Sequence, residues 1–235
     1  MSPLLHIAGL GHQFGDIVAL EAVDLRLEAQ SCLAIVGPNG AGKSTLFNCI
    51  SGLYTPLRGT IRFKGQSLQG KSIDQIARLG ISRTFQQPKL FASLSVFQHL
   101  QLAQAPYSPL RGTPPLIKQV LDDCALSSLK GQKPASLSFG QQKTLAIARC
   151  LASHTQLILL DEPAAGLSEA EKEDFIRLIQ ALKVKYQFGI LLVEHQLSLV
   201  AALADEVLLL DRGRSLMQAS WEEVKRSTEW QKYKG

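Results

Sequence analysis

A short glycine-rich segment limits what this chain can fold into more than any other part of its sequence. Residues 37–45 read Gly-Pro-Asn-Gly-Ala-Gly-Lys-Ser-Thr and directly follow the apolar run 32–36. A strand, then Gly, four free positions and Gly-Lys-Ser/Thr, then a helix, is the pattern of a phosphate-binding loop. Glycines let such a loop curve so that its N–H groups point inward. We therefore predict an α/β fold with a helix that begins near Lys43.

The chemistry of this loop suits a phosphate chain and its metal ion. The loop N–H groups and the positive end of the helix dipole would hold phosphate. Lys43 would reach the β- and γ-phosphates, and Ser44 would ligate Mg²⁺. A glycine-rich turn without a ligand is the alternative, and the agreement of strand, loop and helix counts against it. The predicted nucleotide-binding residues are Gly37, Pro38, Asn39, Gly40, Ala41, Gly42, Lys43, Ser44 and Thr45.

Two carboxylates follow a second apolar run. Residues 157–160 read Leu-Ile-Leu-Leu, which is typical of a buried strand in a parallel sheet, and Asp161 and Glu162 come next. Ligands bind at the carboxyl ends of such strands. Asp161 would hold Mg²⁺, directly or through water, and Glu162 would deprotonate the attacking water. A solvated strand end is the alternative for either acid.

A third motif gives the chain a family resemblance. Residues 137–142 read Leu-Ser-Phe-Gly-Gln-Gln and precede a helical pattern. With the two motifs above, this segment resembles the ATP-binding subunits of ABC transporters, whose signature is Leu-Ser-Gly-Gly-Gln. Phe139 stands where the family has its first glycine. The resemblance implies that Ser138, Gly140 and Gln141 still recognise the phosphate of ATP. An ordinary helix N-cap by Ser138 is the alternative.

The resemblance runs from about residue 4 to residue 218 and implies further roles. Gln86 matches the glutamine that contacts Mg²⁺ and the attacking water, although Gln87 is adjacent. His195 matches the histidine that contacts the γ-phosphate, and Phe14 the aromatic residue that stacks on adenine. Purely structural roles are the alternatives for His195 and Phe14. Ser168 ends the segment that matches the D-loop, where the family often has Asp. The implied catalytic residues are Glu162, His195 and Gln86, and the implied metal ligands are Ser44, Gln86 and Asp161.

Segments 46–54 and 76–86 are similar to the ATPases of branched-chain amino acid importers. This similarity implies a subunit that hydrolyses ATP to energise import. A second ATPase subunit, identical or different, would bind head to tail, so that each signature closes over ATP held by the other subunit. Transmembrane permease subunits, and through them a substrate-binding protein, are the other implied partners. The implied location is peripheral, on the cytoplasmic face of the inner (plasma) membrane.

Composition narrows the class of protein. The 235 residues are 46% apolar, enough for one large domain with an inserted lobe. The net charge of +5 lies in no long basic run, so nucleic acid is not indicated, and an anionic membrane surface or ordinary solvation explains it equally. We expect no signal peptide, and no apolar run reaches the ~20 residues that are needed to span a bilayer. Cys32, Cys49, Cys124 and Cys150 lack CxxC spacing, which predicts buried reduced thiols.

The pattern along residues 1–235 predicts a single domain. It is an α/β P-loop NTPase core with a mostly parallel sheet, an antiparallel β lobe with turns at Gly59-Thr60 and Gly65, and a helical subdomain inserted at 87–136. Residues 93–104 and 116–129 are the helical candidates in that insertion, separated by a loop rich in proline at 106, 109, 114 and 115. A capping box at 168–171 opens a further helix. Residues 221–235 form a C-terminal tail, either a short packed helix or partly free.

Other functions are compatible with these motifs. A soluble ATPase of iron–sulfur cluster assembly and a transporter ATPase for another solute are the main alternatives. A DNA-repair ATPase needs long coiled-coil or zinc insertions, and a translation ATPase usually has two such domains, so both are disfavoured. A nucleotide-binding regulator without turnover is disfavoured because it would not need Glu162 and His195.

Overall fold

The computed structural model describes residues 2–104 and 114–234. Of the predicted proline-rich loop, Pro106 and Pro109 therefore lie outside the described residues. The described strands are β1 (Leu5–Phe14), β2 (Ile17–Leu27), β3 (Cys32–Val36), β4 (Arg58–Phe63), β5 (Gln66–Ser67), β6 (Ile81–Arg83), β7 (Leu157–Asp161), β8 (Gly189–Val193), β9 (Glu206–Asp211) and β10 (Arg214–Ala219). They form one sheet in the order β5-β4-β1-β2-β10-β9-β3-β8-β7-β6.

Nine α-helices are described in the same residues. They are α1 (Lys43–Ile50), α2 (Ile73–Leu79), α3 (Val96–Gln104), α4 (Pro114–Asp123), α5 (Phe139–Ala152), α6 (Glu169–Tyr186), α7 (Leu197–Leu203), α8 (Trp221–Arg226) and α9 (Thr228–Lys234). The predicted helix starts at Lys43 and after the capping box of Ser168 are confirmed. On α6, Phe175, Ile179 and Leu182 form the buried face.

The parallel half of the sheet carries the phosphate-binding loop. Strand β3 lies between β9 and β8, and β7 and β6 continue the sheet, all in parallel pairing. Every residue of β3 and β8 is buried, as expected of strands covered on both faces. Because parallel strands end at one edge, residues 37–45, 161–162 and 195 lie along the same edge of the sheet. The predicted α/β fold with a mostly parallel core is thus confirmed.

Alternate residues of each core strand enter two different apolar cores. In β7, Ile158 and Leu160 pack in the core that includes α5, α6 and α7, whereas Leu157 and Leu159 pack in the core that includes α1 and the antiparallel strands. This period of two divides the molecule into layers on either side of the sheet. All four cysteines are buried and unpaired, as predicted, and burial raises the pKa of each thiol.

Strands β5, β4, β1 and β2 form the predicted antiparallel lobe. Gly65 lies in the turn between β4 and β5, but the turn predicted at Gly59-Thr60 is wrong, because both residues lie inside β4. Gly59 has φ of 82°, and a Cβ there would lie 2.4 Å from the carbonyl oxygen of Gly9. The glycine permits a close approach of β4 to β1 rather than a reversal of the chain.

The inserted region differs from its predicted helix boundaries. Helix α4 ends at Asp123, so the helix predicted to reach residue 129 is too long. Ala125 has φ of 52°, which is incompatible with a continuing right-handed helix. A short 3₁₀ turn, Ser127–Leu129, follows. Near the C-terminus, Val224 and Trp230 are buried in the core that includes α5, so these helices pack on the domain. None of the helices described is both long and apolar enough to span a membrane.

Candidate functional site

The phosphate-binding loop connects the end of β3 to the start of α1. Gly42 precedes α1 with φ of 104°, a conformation that glycine adopts without strain. A Cβ on Gly42 would lie 2.5 Å from the carbonyl oxygen of Ala19, so the loop also needs the missing side chain for space. Asn39, Gly40 and Ser44 are exposed to solvent. The loop is therefore held tightly at its base and open toward solvent.

Lys43 lies inside this loop. Its Nζ donates hydrogen bonds to the carbonyl oxygens of Gly37, at 2.7 Å, and Pro38, at 2.8 Å. Burial lowers the pKa of Lys43, while the charges of Glu162 and Asp161 act in the opposite direction. Oxygen acceptors thus hold the ammonium group within the electrostatic reach of both acids.

Glu162 contacts the other two residues of the predicted catalytic group. Its Oε2 accepts a hydrogen bond from Nε2 of Gln86 at 2.8 Å, and its Oε1 lies 3.3 Å from Nε2 of His195. Its backbone has φ of 45°, in the left-handed region, and its N–H donates to the carbonyl oxygen of Val193 at 2.9 Å. Strained backbone conformations of non-glycine residues often cluster at functional sites. The structure brings Glu162, Gln86 and His195 together from three separate segments.

Asp161, at the end of β7, contacts a residue that the sequence did not indicate. Nη2 of Arg83 lies 2.9 Å from its Oδ2, and both side chains are largely buried. Lys43, Gln86, Asp161, Glu162 and His195 are called the hydrolysis cluster below. The cluster combines one buried cation, two adjacent acids and two polar groups that orient one of those acids.

The signature segment, residues 138–141, is here called the signature turn. Ser138 is the N-cap of α5: its Oγ accepts from the N–H of Gln141 at 3.2 Å, and Oε1 of Gln141 accepts from the N–H of Ser138 at 2.9 Å. Ser138 therefore caps α5, an arrangement that is compatible with both interpretations of this segment. No hydrogen bond within residues 2–104 and 114–234 joins the signature turn to the hydrolysis cluster. Ser138, Gly140 and Gln141 are thus placed together at the start of α5.

The departure at Phe139 has a structural explanation. The Phe139 ring packs against Gly166, where a Cβ would lie 2.8 Å from a ring carbon, and Nζ of Lys143 lies 5.0 Å from the ring centroid. Gly166 has φ of 79°. The aromatic side chain therefore turns away from the cap and covers the segment that contains Gly166, while Ser138 and Gly140 keep their positions.

A phosphate-binding loop, a strand ending in Asp-Glu and a capped signature helix on one α/β sheet are found together in one group of ATPases. The family model described as ABC transporter matches residues 20–165. The chain belongs to the ABC transporter family. It is an ABC ATPase, in which ATP hydrolysis is coupled to transport.

Relatives and solved structures agree with this assignment over almost the whole chain. The ABC ATPase is 36% identical to the high-affinity branched-chain amino acid transport ATP-binding protein LivG of Escherichia coli and 34% identical to the protein BraF of the same description from Pseudomonas aeruginosa. Each match covers 95% of this chain and 94% of the relative. The ADP conformation of MJ1267, an ATP-binding cassette of an ABC transporter, superposes with a TM-score of 0.85 at 27% identity, covering 95% and 93% of the two chains.

Phe14 of the ABC ATPase lies at the end of β1 and belongs to a cluster of three rings. Its ring is nearly perpendicular to those of His12 and Tyr54, at 4.7 and 5.2 Å, and the latter two stack in parallel at 5.3 Å. Phe14 is 44% exposed. An exposed ring held by two others provides a flat surface on which a base can stack. Sequence reasoning missed His12 and Tyr54, whose proximity depends on folding of the lobe.

Two buried charges fix the loops of the hydrolysis cluster. Nζ of Lys143 donates to the carbonyl oxygen of Pro163 at 2.6 Å. Glu194 accepts from the N–H groups of His195, at 2.9 Å, and Ala164, at 3.3 Å. Both side chains are buried, and burial lowers the pKa of Lys143. An acid directly after a fully apolar strand was a weak signal for Glu194, and no sequence pattern indicated Lys143.

The residues present fit the groups that the family implies. The exposed hydroxyl of Ser44, the carboxylate of Asp161 and the amide of Gln86 are oxygen donors, the kind that Mg²⁺ prefers. Among the residues described, no group of three His, Cys, Asp or Glu side chains is close enough to form a metal site alone. A Mg²⁺ site here would therefore need the phosphate oxygens of the nucleotide as well, as is usual for nucleotide-bound magnesium.

Proposed function

We propose that this ABC ATPase hydrolyses Mg²⁺-bound ATP to energise the import of branched-chain amino acids. The observation that carries the hydrolysis part is the carboxylate of Glu162, held between Gln86 and His195 beside the phosphate-binding loop. A carboxylate oriented by two polar groups can accept the proton of an attacking water. A cassette that only bound nucleotide would not require this arrangement.

Each residue has a separate role in this proposal. Residues 37–45 bind the phosphates, with Lys43 exchanging its two carbonyl acceptors for phosphate oxygens. Ser44, Gln86 and Asp161 would hold Mg²⁺, which neutralises charge on the phosphate oxygens when bound. Glu162 takes the proton of the attacking water, and His195 and Gln86 keep its two carboxylate oxygens in place. Phe14 stacks on the adenine.

The signature turn would complete the site of a second subunit. Ser138 and Phe139, at the N-terminus of α5, are exposed, and no hydrogen bond among the described residues links the signature turn to the hydrolysis cluster of the same chain. Hydrogen-bond donors at a helix N-terminus suit the γ-phosphate. Head-to-tail association of two ATPase chains, identical or different, brings each signature turn to the other chain's ATP.

The permease would dock beside the segment that follows Gln86. A groove of about 350 Å³ lies there, lined in part by Leu53, Ile73 and Phe85, all with large exposed fractions. Phe91, whose ring centroid lies 5.9 Å from the guanidinium carbon of the lining residue Arg149, is 51% exposed, which does not fit a purely core role. Exposed apolar side chains around a groove are typical of a surface that binds a partner helix. Docking there puts the ABC ATPase at the cytoplasmic face of the membrane, with the substrate-binding protein reached through the permease.

The solute is inferred from the relatives. LivG and BraF are described as branched-chain amino acid transport proteins, at 36% and 34% identity. A molybdenum import ATP-binding protein, ModC, is 33% identical over 92% of this chain but only 58% of its own length. The more complete coverage of the amino acid transport proteins favours their solute class.

Co-purification and stimulation test the whole proposal. The ABC ATPase should co-purify from membranes with a permease, and the reconstituted complex should hydrolyse ATP faster with leucine, isoleucine or valine than with molybdate. Phe91→Ser should weaken assembly while leaving the basal hydrolysis of the isolated subunit unchanged. Val184→Ser is the matched control, because Val184 is also apolar and exposed, on the distant helix α6. Stimulation by molybdate alone would refute the solute, and full assembly of Phe91→Ser would refute the docking surface.

A further inference from the structure

Arg83 is a nearly buried cation between the groove and the hydrolysis cluster. It is the last residue of β6 and pairs with Leu159 of β7. Only 11% of its side chain is exposed. The guanidinium carbon lies 5.1 Å from the ring centroid of Phe85 and 5.5 Å from that of Phe47. Aromatic faces at these distances attract a cation and restrict its motion.

The guanidinium group connects two elements of the nucleotide site. Nη2 donates to Oδ2 of Asp161 at 2.9 Å. Nη1 donates to Oδ1 of Asn48 at 2.6 Å, and Oγ of Ser51 lies at 3.4 Å. Asn48 is in α1, the helix that begins with Lys43, and Ser51 directly follows it. One side chain therefore ties the helix of the phosphate-binding loop to the strand that ends in Asp161.

This contact leaves half of the Asp161 carboxylate available. Arg83 holds Oδ2, and no hydrogen bond among the described residues engages Oδ1. Arg83 itself is fixed by Asn48 on α1, by Ser51 directly after it and by two rings, so it is poorly placed to move away when a ligand arrives. A carboxylate whose second oxygen is held in this way has its first oxygen oriented before any metal binds.

We propose that Arg83 is a positioning residue for magnesium: it holds Asp161 by Oδ2 so that Oδ1 faces the metal bound with ATP. The inference rests on the proposed role of Asp161 as a magnesium ligand and adds the residue that orients it. Removal of partners of this kind typically weakens metal affinity about 10- to 100-fold. A competing role, in which Arg83 neutralises Asp161 and excludes the metal, makes the opposite prediction.

Metal affinity is the direct test, with Mn²⁺ as the probe. Mn²⁺ binding to the complex with ADP is measured by electron paramagnetic resonance, in parallel with the Mg²⁺ concentration that gives half-maximal hydrolysis. Arg83→Gln should lower the affinity for Mn²⁺ and raise the Mg²⁺ concentration for half-maximal hydrolysis, each about tenfold or more. The affinity for ADP without divalent cations should change less than twofold. Arg83→Lys should recover part of the loss. Arg78→Gln is the matched control, because Arg78 pairs with Asp74 at an exposed site on α2, and it should bind Mn²⁺ as the wild type does.

A double-mutant cycle with Asp161→Asn separates positioning from general damage. If Arg83 acts through Asp161, the double variant should bind Mn²⁺ as weakly as Asp161→Asn alone. Additive losses, unchanged affinity or tighter binding in Arg83→Gln would overturn the inference. If Arg83→Gln melts at a much lower temperature than the wild type, the Mn²⁺ affinity of Arg83→Lys and a double-mutant cycle built on Arg83→Lys decide instead. If the wild-type protein does not bind Mn²⁺ in the presence of ADP, the magnesium site itself is refuted. If the wild type binds Mn²⁺ and the Arg83 variants bind it equally well, only the role of Arg83 is refuted.

Discussion

The hydrolysis cluster and the signature turn are built in opposite ways. In the cluster, Gln86, Glu162 and His195 come from segments far apart in the chain and hold one another. In the signature turn, Ser138 and Gln141, three residues apart, hold each other by reciprocal hydrogen bonds. Polar contacts within one chain join the side chains at the centre of the cluster, whereas the turn presents an exposed helix terminus. Substitutions in the two regions should therefore affect different steps, namely chemistry in the cluster and assembly of the closed site at the turn.

The largest effect is expected at the centre of the cluster. Glu162→Gln keeps the shape of the side chain but cannot accept a proton, so the turnover number should fall about 10²- to 10⁴-fold. The affinity for ATP should stay within about threefold, because the phosphate-binding loop is untouched. Steady-state hydrolysis and equilibrium binding of labelled ATP measure the two quantities. Near-normal turnover would remove Glu162 from the role of general base.

A loss of hydrolysis of comparable size, caused by blocked assembly of the closed site, is expected at the signature turn. Ser138→Arg puts a long cation where the γ-phosphate of the other subunit's ATP would lie, so hydrolysis should fall about 100-fold or more. ATP binding to the isolated chain should not change, in contrast to substitutions in the loop. Size-exclusion chromatography of this variant in the Glu162→Gln background should show no ATP-dependent dimer. A dimer that forms normally would mean that the turn does not contribute to the partner's site.

Lys43→Ala should weaken the binding of ATP, a step that neither of the two substitutions above is expected to change. Hydrogen bonds to charged groups contribute about 1.5–3 kcal/mol, so the affinity for ATP should fall about 10- to 100-fold. Lys118→Ala, at an exposed position of α4, is the matched control and should bind ATP normally. Calorimetric titration of ATP with Mg²⁺ gives both affinities. Equal affinities would show that the loop does not hold the nucleotide through Lys43.

The smallest effect is expected at Phe139, which links the turn to Gly166. Phe139→Gly should keep hydrolysis within about threefold, because Ser138 and Gly140 still begin α5. It should lower the free energy of unfolding by about 1 kcal/mol, since glycine disfavours the helix and the ring contact with Gly166 is lost. Denaturant unfolding measures this change, with Phe139→Tyr as the control that keeps the ring. A large loss of hydrolysis in the glycine variant would show that the two regions are more closely connected than their hydrogen bonds indicate.

Features that depend on neighbouring residues could be predicted from the sequence. The helix start at Lys43 follows from Gly42, which accepts the left-handed conformation, and the caps at Ser138 and Ser168 follow from a polar residue three positions later. Strand β3 followed from five consecutive apolar residues. Local chemistry favours each of these elements, so residues near in sequence were enough to predict them.

Features that depend on distant partners could not be predicted. Arg83 meets Asp161 only because β6 and β7 pair in parallel, and Lys143 meets Pro163 only because α5 packs beside β7. The turn predicted at Gly59 was wrong because the small size of this residue is required by β1, a strand that is far away in sequence. The roles assigned to individual site residues remain predictions until the variants above are measured.

The position of β3 in the sheet also sets an order of events during synthesis. Both of its neighbours come from much later in the chain: Cys32 aligns with Ile190 and Leu33 with Glu206. Until those segments leave the ribosome, β3 has two unpaired edges and its glycine loop has no neighbouring strands to hold it in shape. Contacts of such long range form slowly, and unpaired strand edges favour aggregation. Nucleotide can therefore stabilise the loop between its neighbouring strands only after residues 189–211 have been synthesised.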